Sequence, residues 1–228
     1  MSESRGRISR AILTFRVSGR MVDLGECVNK RQPKKFTHVV NVAGIPVRRR
    51  KDMVSLYHSV PENVQGHILS PLSALKEKYP DIYEQQMRKY VGREQITQQR
   101  IPILDCLWND VLHFVAVNPK AVKEALIEAG RNPEVAMSYY QVDPKLIEPK
   151  NAIVYLYPYA DNKDPMNEEN FVPYHPDEIA KFSGMPEATK EYYKGTIEKG
   201  ERPLLYHRIP HILYRGTIDI TDLPIISV

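Results

Sequence analysis

The strand-like runs of this chain do not alternate regularly with its helical segments, and this order limits the possible folds most. Runs rich in β-branched and aromatic residues occur at positions 11–17, 38–43, 53–58, 111–117, 139–142, 151–157, 211–214, 217–220 and 224–228. Helical patterns occupy 71–91, 120–129 and 186–198. A doubly wound parallel sheet needs a helix between successive strands. The order therefore predicts an α+β fold with peripheral helices.

The most periodic helical segment covers residues 71–91, where apolar residues recur at spacings of three and four. Pro80 interrupts this stripe and predicts two helices or one kinked helix. Residues 61–69 open with a proline and predict a short helix. Residues 158–176 are rich in Pro, Asn and Asp without periodicity, which predicts a long loop.

The charge is distributed unevenly along the chain. Residues 1–51 hold 13 Lys and Arg against 3 Asp and Glu, a net charge of +10, while residues 52–228 carry −6. We therefore expect a basic extension over residues 1–52, with two strand candidates and packed on the core, followed by one α+β domain over 53–228. The extension could bind nucleic acid, or it could be a solvated basic face.

The cysteines and the hydropathy pattern indicate the compartment. Cys27 and Cys106 lie far apart, and neither belongs to a CxxC pair. Two isolated thiols without a secretory signal are typical of a reduced, cytoplasmic protein, where they serve as small buried side chains. No segment approaches the ~18 apolar residues of a membrane span, so no membrane partner is expected.

Common short motifs are missing from the sequence. It contains neither GxGxxG nor GxxxxGK[ST], and no GxSxG that would indicate a serine hydrolase. The seven histidines show neither HExxH nor HxH spacing, so no metal site is predicted. His58 and His211 stand out because each lies at the end of a predicted strand, where an imidazole can project into a cleft. Either could instead be a structural histidine.

The segment Tyr57-His58-Ser59, with the residues at 63–69 after it, resembles the opening of ADP-ribosyltransferase-fold proteins. Residues 109–119 resemble the middle strand of the branch of that family that modifies DNA, and residues 210–228 resemble its closing segment. The resemblance extends over about residues 53–228. It implies a mixed, largely antiparallel split sheet and a nucleotide, NAD, as the small-molecule substrate.

The resemblance also implies roles for individual residues. His58 would hydrogen-bond the nicotinamide side of NAD and the adjoining ribose, with Ser59 assisting. An aromatic ring would stack on the nicotinamide, and the candidates are Phe114, Tyr139 and Tyr140. Trp108 is interpreted as a packing anchor. The arginines Arg93, Arg202 and Arg215 are candidates for binding phosphate or, equally, surface charges.

His211 occupies the position where the family usually has a catalytic glutamate, and a tyrosine expected in the second motif is missing. A neutral imidazole can act as a base but cannot place negative charge beside a developing cation. Three functions therefore stay open. They are an NAD-dependent ADP-ribosyltransferase with His58 and His211 as catalytic residues, a catalytically inactive binding module of that fold, and an unrelated α+β protein with structural histidines.

Overall fold

A computed structural model describes residues 54–131, 136–158 and 166–228, and the backbone of two short strands near the N-terminus. The chain divides into two compact units, Met1–Arg48 and Arg49–Val228. In the first unit, β1 (Arg16–Val17) pairs with β2 (Arg20–Met21) in an antiparallel hairpin. Most of the predicted strand at 11–17, the whole of that at 38–43, and Cys27 lie outside the described residues.

The second unit combines short strands with four α-helices and several 3-10 turns. Its strands are β3 (Leu56–Ser59), β4 (Ile68–Leu69), β5 (Arg100–Ile101), β6 (Cys106–Leu107), β7 (Leu112–Phe114), β8 (Ser138–Val142), β9 (Ala152–Tyr155), β10 (Phe171–Pro173), β11 (His211–Tyr214), β12 (Ile218–Asp219) and β13 (Ile225–Ser227). Its α-helices are α1 (Leu72–Lys78), α2 (Pro80–Met87), α3 (Pro119–Glu128) and α4 (Glu187–Glu198).

Two sheets organise this unit. One has four strands in the order β10-β9-β11-β7, and the other has three in the order β13-β8-β3. A single bridge between Tyr57 of β3 and Val115, just beyond β7, connects them. All strand pairs within the described residues are antiparallel. The α+β prediction is therefore confirmed.

The adjacent strands β9 and β11 are buried on both faces, which explains their nearly continuous apolar runs. Leu56 packs in a core cluster with Phe114, whereas their neighbours Tyr57 and Val115 pack in a second cluster under α3 and α4. Alternate residues of β9 and β11 likewise belong to the first core cluster and to a third core cluster. Successive side chains point to opposite faces of a strand, so one run serves two clusters.

Proline and asparagine define the helix boundaries as the sequence indicates. Tyr79 separates α1 from α2, and Pro80 occupies the first turn of α2, where its missing N–H costs nothing. The Asn118 side chain accepts a hydrogen bond from the Lys120 amide at 3.0 Å and caps α3. Gly130 then ends this helix with a φ of +95°.

Two sequence-based expectations are wrong. Residues 61–69 form turns that lead into β4 rather than a helix, and Gly66 lies in the left-handed region at φ +74°. The second half of the predicted 158–176 loop contains a 3-10 turn, Glu168–Asn170, and β10. Pro173 is compatible with that strand because β10 lies at the edge of its sheet.

No helix within residues 54–131, 136–158 and 166–228 is both long enough and apolar enough to span a membrane.

Candidate functional site

The two sheets meet at one point, and a cavity of about 360 Å³ opens there. The Tyr57 and Val115 amides exchange backbone hydrogen bonds of 2.8 and 3.1 Å, and both residues line the cavity. We call this space the seam cavity. Strand ends, the 3-10 turn at Trp108–Asp110 and the segment before β11 all contribute to its wall.

His58 is the third residue of β3 and lines the seam cavity together with the exposed Ser59. Its Nδ1 donates a hydrogen bond of 2.8 Å to the carbonyl of His113. Nε2 therefore carries the lone pair of a neutral ring. Burial lowers the pKa of His58 to about 4, despite the opposing effect of the hydrogen bond to His113. The ring is neutral near pH 7.

His211 begins β11 and lines the same cavity. Its Nδ1 donates to the carbonyl of Ile209 at 2.7 Å, so Nε2 again carries the lone pair. Burial lowers its pKa to about 4. The structure thus brings together two histidines more than 150 positions apart. The hypothesis that both are unrelated structural histidines predicts that they lie far apart, whereas the structure places both on the wall of one cavity.

His113 is a third imidazole of the seam cavity, and the sequence analysis did not select it. Its Nε2 donates to the carbonyl of Trp108 at 3.0 Å, which leaves the lone pair on Nδ1. Burial, followed by the neighbouring His211, lowers its pKa well below the usual value. Alternation along β7 is the sequence signal that could have identified His113. This residue lies between the buried Leu112 and Phe114, so its side chain points to the other face of the strand.

These three histidines share one hydrogen-bonding arrangement. Each donates one ring N–H to a backbone carbonyl and is kept neutral by burial. Each consequently retains a second ring nitrogen that can only accept. A ligand group that reaches one of these nitrogens has to be a donor, such as a hydroxyl or a primary amide.

Aromatic rings also line the seam cavity, next to the histidines. Trp108, Tyr155 and Tyr157 all line it, with Tyr155 stacked on Tyr157 at 5.5 Å between ring centroids. Trp108 lies 4.4 Å from the His113 ring and 6.2 Å from Tyr155. Trp108 is thus a packing residue, as expected, but it also contributes a surface of the cavity. Rings of this kind are suited to stacking on a planar heterocycle.

The three aromatic residues predicted to stack on a ligand occupy other positions. Phe114, Tyr139 and Tyr140 are 0%, 2% and 5% exposed and belong to the core clusters. None of them lines the seam cavity. The Phe114 ring packs against the His58 ring, with 5.4 Å between the ring centroids. The structure therefore corrects this expectation, because alternation along β7 and β8 turns these rings into the core.

Helix α4 holds the segment before β11 against the cavity. Thr189 Oγ1 donates to the carbonyl of His207 at 2.9 Å, and Tyr193 Oη donates to the carbonyl of Leu205. His207 Nδ1 lies 3.2 Å from the hydroxyl of Tyr157. Tyr157 has a φ of 52°, in the left-handed region that bulky residues rarely adopt. Such strained positions concentrate at functional sites.

The charged residues at the cavity are cationic. Lys89 and Arg93 line it, and no Asp or Glu of residues 54–131, 136–158 and 166–228 is among its lining residues. Arg93 Nη2 donates to the carbonyl of Lys89 at 2.6 Å. Of the three candidate arginines, Arg93 alone reaches this cavity; Arg215 donates to the carbonyl of Leu104, and Arg202 is exposed elsewhere. The site is therefore suited to an anionic ligand.

The described residues contain no group of three or more His, Cys, Asp or Glu side chains arranged to hold a metal ion. Cys106 is buried in the third core cluster, where burial raises the pKa of its thiol. It is a packing residue, as the sequence predicts, since a catalytic thiol needs a lowered pKa and access to solvent.

Comparisons with protein-family models, curated proteins and solved structures found no match to this chain.

Proposed function

We propose that the seam cavity binds NAD and that the protein is an NAD-dependent enzyme of the ADP-ribosyltransferase type. The observation that carries the proposal is the convergence of His58, His113 and His211 with aromatic rings and two cations in one cavity. The two antiparallel sheets that meet at a single bridge agree with the split sheet implied by the sequence resemblance.

Each part of NAD finds complementary chemistry in this cavity. The accepting nitrogens of His58 and His113 suit the ribose hydroxyls and the carboxamide N–H groups. The rings of Trp108 and Tyr155 suit the planar nicotinamide. Lys89 and Arg93 suit the negatively charged diphosphate.

The proposed reaction is transfer of ADP-ribose to a nucleophile. The bond between C1′ of the ribose and the nicotinamide nitrogen breaks, and its electron pair leaves with neutral nicotinamide. The acceptor forms a new bond to C1′ and passes its proton to His211 Nε2, which carries a lone pair. The low pKa of His211 makes it a weak base, so we expect slow turnover.

A specific observation favours a second candidate, a binding module without catalysis. Within the described residues no carboxylate lines the seam cavity, so no described side chain there opposes the positive charge that develops at C1′ when nicotinamide leaves. In this alternative the protein binds NAD or ADP-ribose and releases no nicotinamide.

The acceptor in the proposed transfer is a nucleic acid. The support is the net charge of +10 over residues 1–51. The cytoplasm remains the proposed location, based on the two isolated cysteines.

The experiment combines calorimetric titration of NAD with measurement of nicotinamide release. The parent should bind NAD, and His58→Ala should lose binding by at least tenfold, whereas His175→Ala, an exposed residue outside the cavity, should not. A His58→Ala protein that consumes NAD at the parent rate would refute the proposal. Binding without nicotinamide release would favour the binding module, and His211→Glu should then introduce release because it supplies the missing charge.

A further inference from the structure

A second cavity of about 310 Å³ lies beside the seam cavity. We call it the helix cavity, because residues of α1 and α2 form part of its wall. The two cavities share a set of lining residues, which are His58, Gln86, Lys89, Tyr90 and His113. Lys89 is the amine of this set, so it brings a nucleophile to the shared wall when it is neutral.

Lys89 has no carboxylate that would hold its positive charge in place. It takes part in none of the ion pairs within residues 54–131, 136–158 and 166–228, and no Asp or Glu of these residues lines either cavity. The Arg93 side chain instead donates to the Lys89 carbonyl at 2.6 Å, which brings a second cation to the same turn. A lysine beside another cation and without a counterion is a typical arrangement for a nucleophilic amine.

The groups that face Lys89 influence its protonation in opposite directions. Loss of hydration in its surroundings, followed by the charge of Arg93, lowers the pKa of Lys89. The neutral rings of His58 and His113 supply no negative charge, whereas the Tyr90 ring, 5.3 Å from Nζ, favours the cation. An ordinary lysine has about one amine in 2,500 neutral at pH 7, and each unit of lowered pKa raises that fraction about tenfold.

The helix cavity determines which ligands can meet this amine. Leu72, Leu75 and Ile82 give the cavity an apolar wall. Lys78 adds a second cation. A cavity of this size with an apolar wall and a few polar groups is typical of a small-molecule subsite. Lys89 is exposed as a residue, so a small ligand can reach it from solvent. Its ligand should therefore combine an electrophilic carbon and an apolar body with a negative charge.

We propose that Lys89 binds an anionic aldehyde in the helix cavity as a reversible imine. The neutral amine attacks the carbonyl carbon, and one N–H proton passes to the carbonyl oxygen to give a carbinolamine. The nitrogen lone pair then expels this hydroxyl, which takes the second amine proton and leaves as water. A C=N bond has replaced the C=O bond. The accepting ring nitrogens of His58 and His113 on the shared wall relay these protons. The inference goes beyond the proposed function and does not depend on NAD.

The experiment uses pyridoxal 5′-phosphate, an anionic aromatic aldehyde, as the probe. The whole protein is treated with a limiting amount near pH 7, the imine is reduced with borohydride, and the labelled lysines are located by peptide mass spectrometry. Lys89 should carry about tenfold more label than Lys181 and Lys190, which pair with carboxylates outside both cavities. Pyridoxal, the same aldehyde without the phosphate, should label Lys89 about two- to fivefold less, the range of one exposed ion pair.

Three variants test the site that the label occupies. Lys89→Arg keeps the charge and should abolish the label at this position. Lys78→Gln should remove the preference for pyridoxal 5′-phosphate over pyridoxal. Leu75→Phe adds bulk to the wall of the helix cavity and should reduce the label on Lys89 at least threefold. The labels on Lys181 and Lys190 in the same samples should not change, which serves as the internal control.

The outcomes separate the inference from the proposed function. Label spread evenly over Lys89, Lys181 and Lys190 in the parent overturns the inference, and this comparison needs no variant to fold. Labelling of Lys89 that Leu75→Phe leaves unchanged also overturns it, because the aldehyde then lies outside the helix cavity. If the parent binds no NAD but carries the label selectively on Lys89, the proposed function fails and the aldehyde site stands.

Discussion

The stability of the protein should fall steeply as the pH drops from 6.5 to 5, because the four histidines that line the seam cavity have lowered pKa values in the folded state. Burial lowers the pKa of His58 and of His211 to about 4, and it lowers those of His113 and His207 as well. In the unfolded chain each imidazole titrates near 6.5. Between pH 6.5 and 4 the unfolded state therefore binds more protons than the folded state.

The sign and size of the effect follow from this difference. Stability is fully present above pH 6.5 and is lost as the pH falls toward 4, by about 1.4 kcal/mol per pH unit for each histidine. From pH 6.5 to 5 this amounts to about 1.6 kcal/mol for each histidine, because the unfolded imidazole is half protonated at pH 6.5, and up to about 3 kcal/mol for His58 and His211 together. The total stability of a domain is only about 5–15 kcal/mol.

Urea denaturation of the parent at half-unit intervals from pH 7.5 to 5 measures this slope, above the range where most carboxyls titrate. The double variant His58→Gln, His211→Gln should show a shallower slope by up to about 2.7 kcal/mol per pH unit near pH 5.5. His175→Gln, outside both cavities, serves as the control. A parent slope near zero, or an unchanged slope in the double variant, would show that these rings are not held neutral.

Three substitutions test the framework around the cavity by thermal and urea unfolding. Thr189→Val leaves the buried carbonyl of His207 unpaired and should cost about 1–3 kcal/mol, whereas Thr189→Ser keeps the hydroxyl and should cost less. Leu213→Ala, at a fully buried position of the central strand β11, should cost about 2–5 kcal/mol, and a loss below 1 kcal/mol would contradict its core position. Gly195→Ala in α4 should stabilise by up to about 1 kcal/mol, because nothing lies within 4 Å of the added Cβ; destabilisation would contradict this.

Local chemistry made part of the fold predictable from the sequence. The break between α1 and α2 at Pro80 follows from the missing proline N–H, and the start of α3 follows from the Asn118 cap. The strand His211–Tyr214 has the bounds that its β-branched and aromatic content indicates. The turns over residues 61–69 were missed because the proline that can open a helix also fits a turn.

The candidate site was only partly predictable, because it depends on pairing between distant strands. The bridge between Tyr57 and Val115 joins residues 58 positions apart, and no local pattern records it. Sequence reasoning chose Phe114 as a ligand-stacking residue, while the structure turns His113 to the cavity and Phe114 into the core. A difference of one position along a strand reverses the face, so the predicted Phe114 lies in the core while its neighbour His113 lines the cavity.

The charges of the seam cavity favour ligand binding and oppose the proposed bond cleavage. Lys89 and Arg93 would attract the diphosphate of the proposed ligand, but the same positive field would disfavour the cation that forms at C1′ in the proposed reaction. Neutral imidazoles at positions 58, 113 and 211 orient donors without offsetting this field. Tight binding with slow turnover is therefore the combination that these residues favour. In the proposed reaction the negative charge near C1′ would come from the bound diphosphate or from a polyanionic acceptor such as nucleic acid, since no Asp or Glu lines the cavity within the described part of the chain.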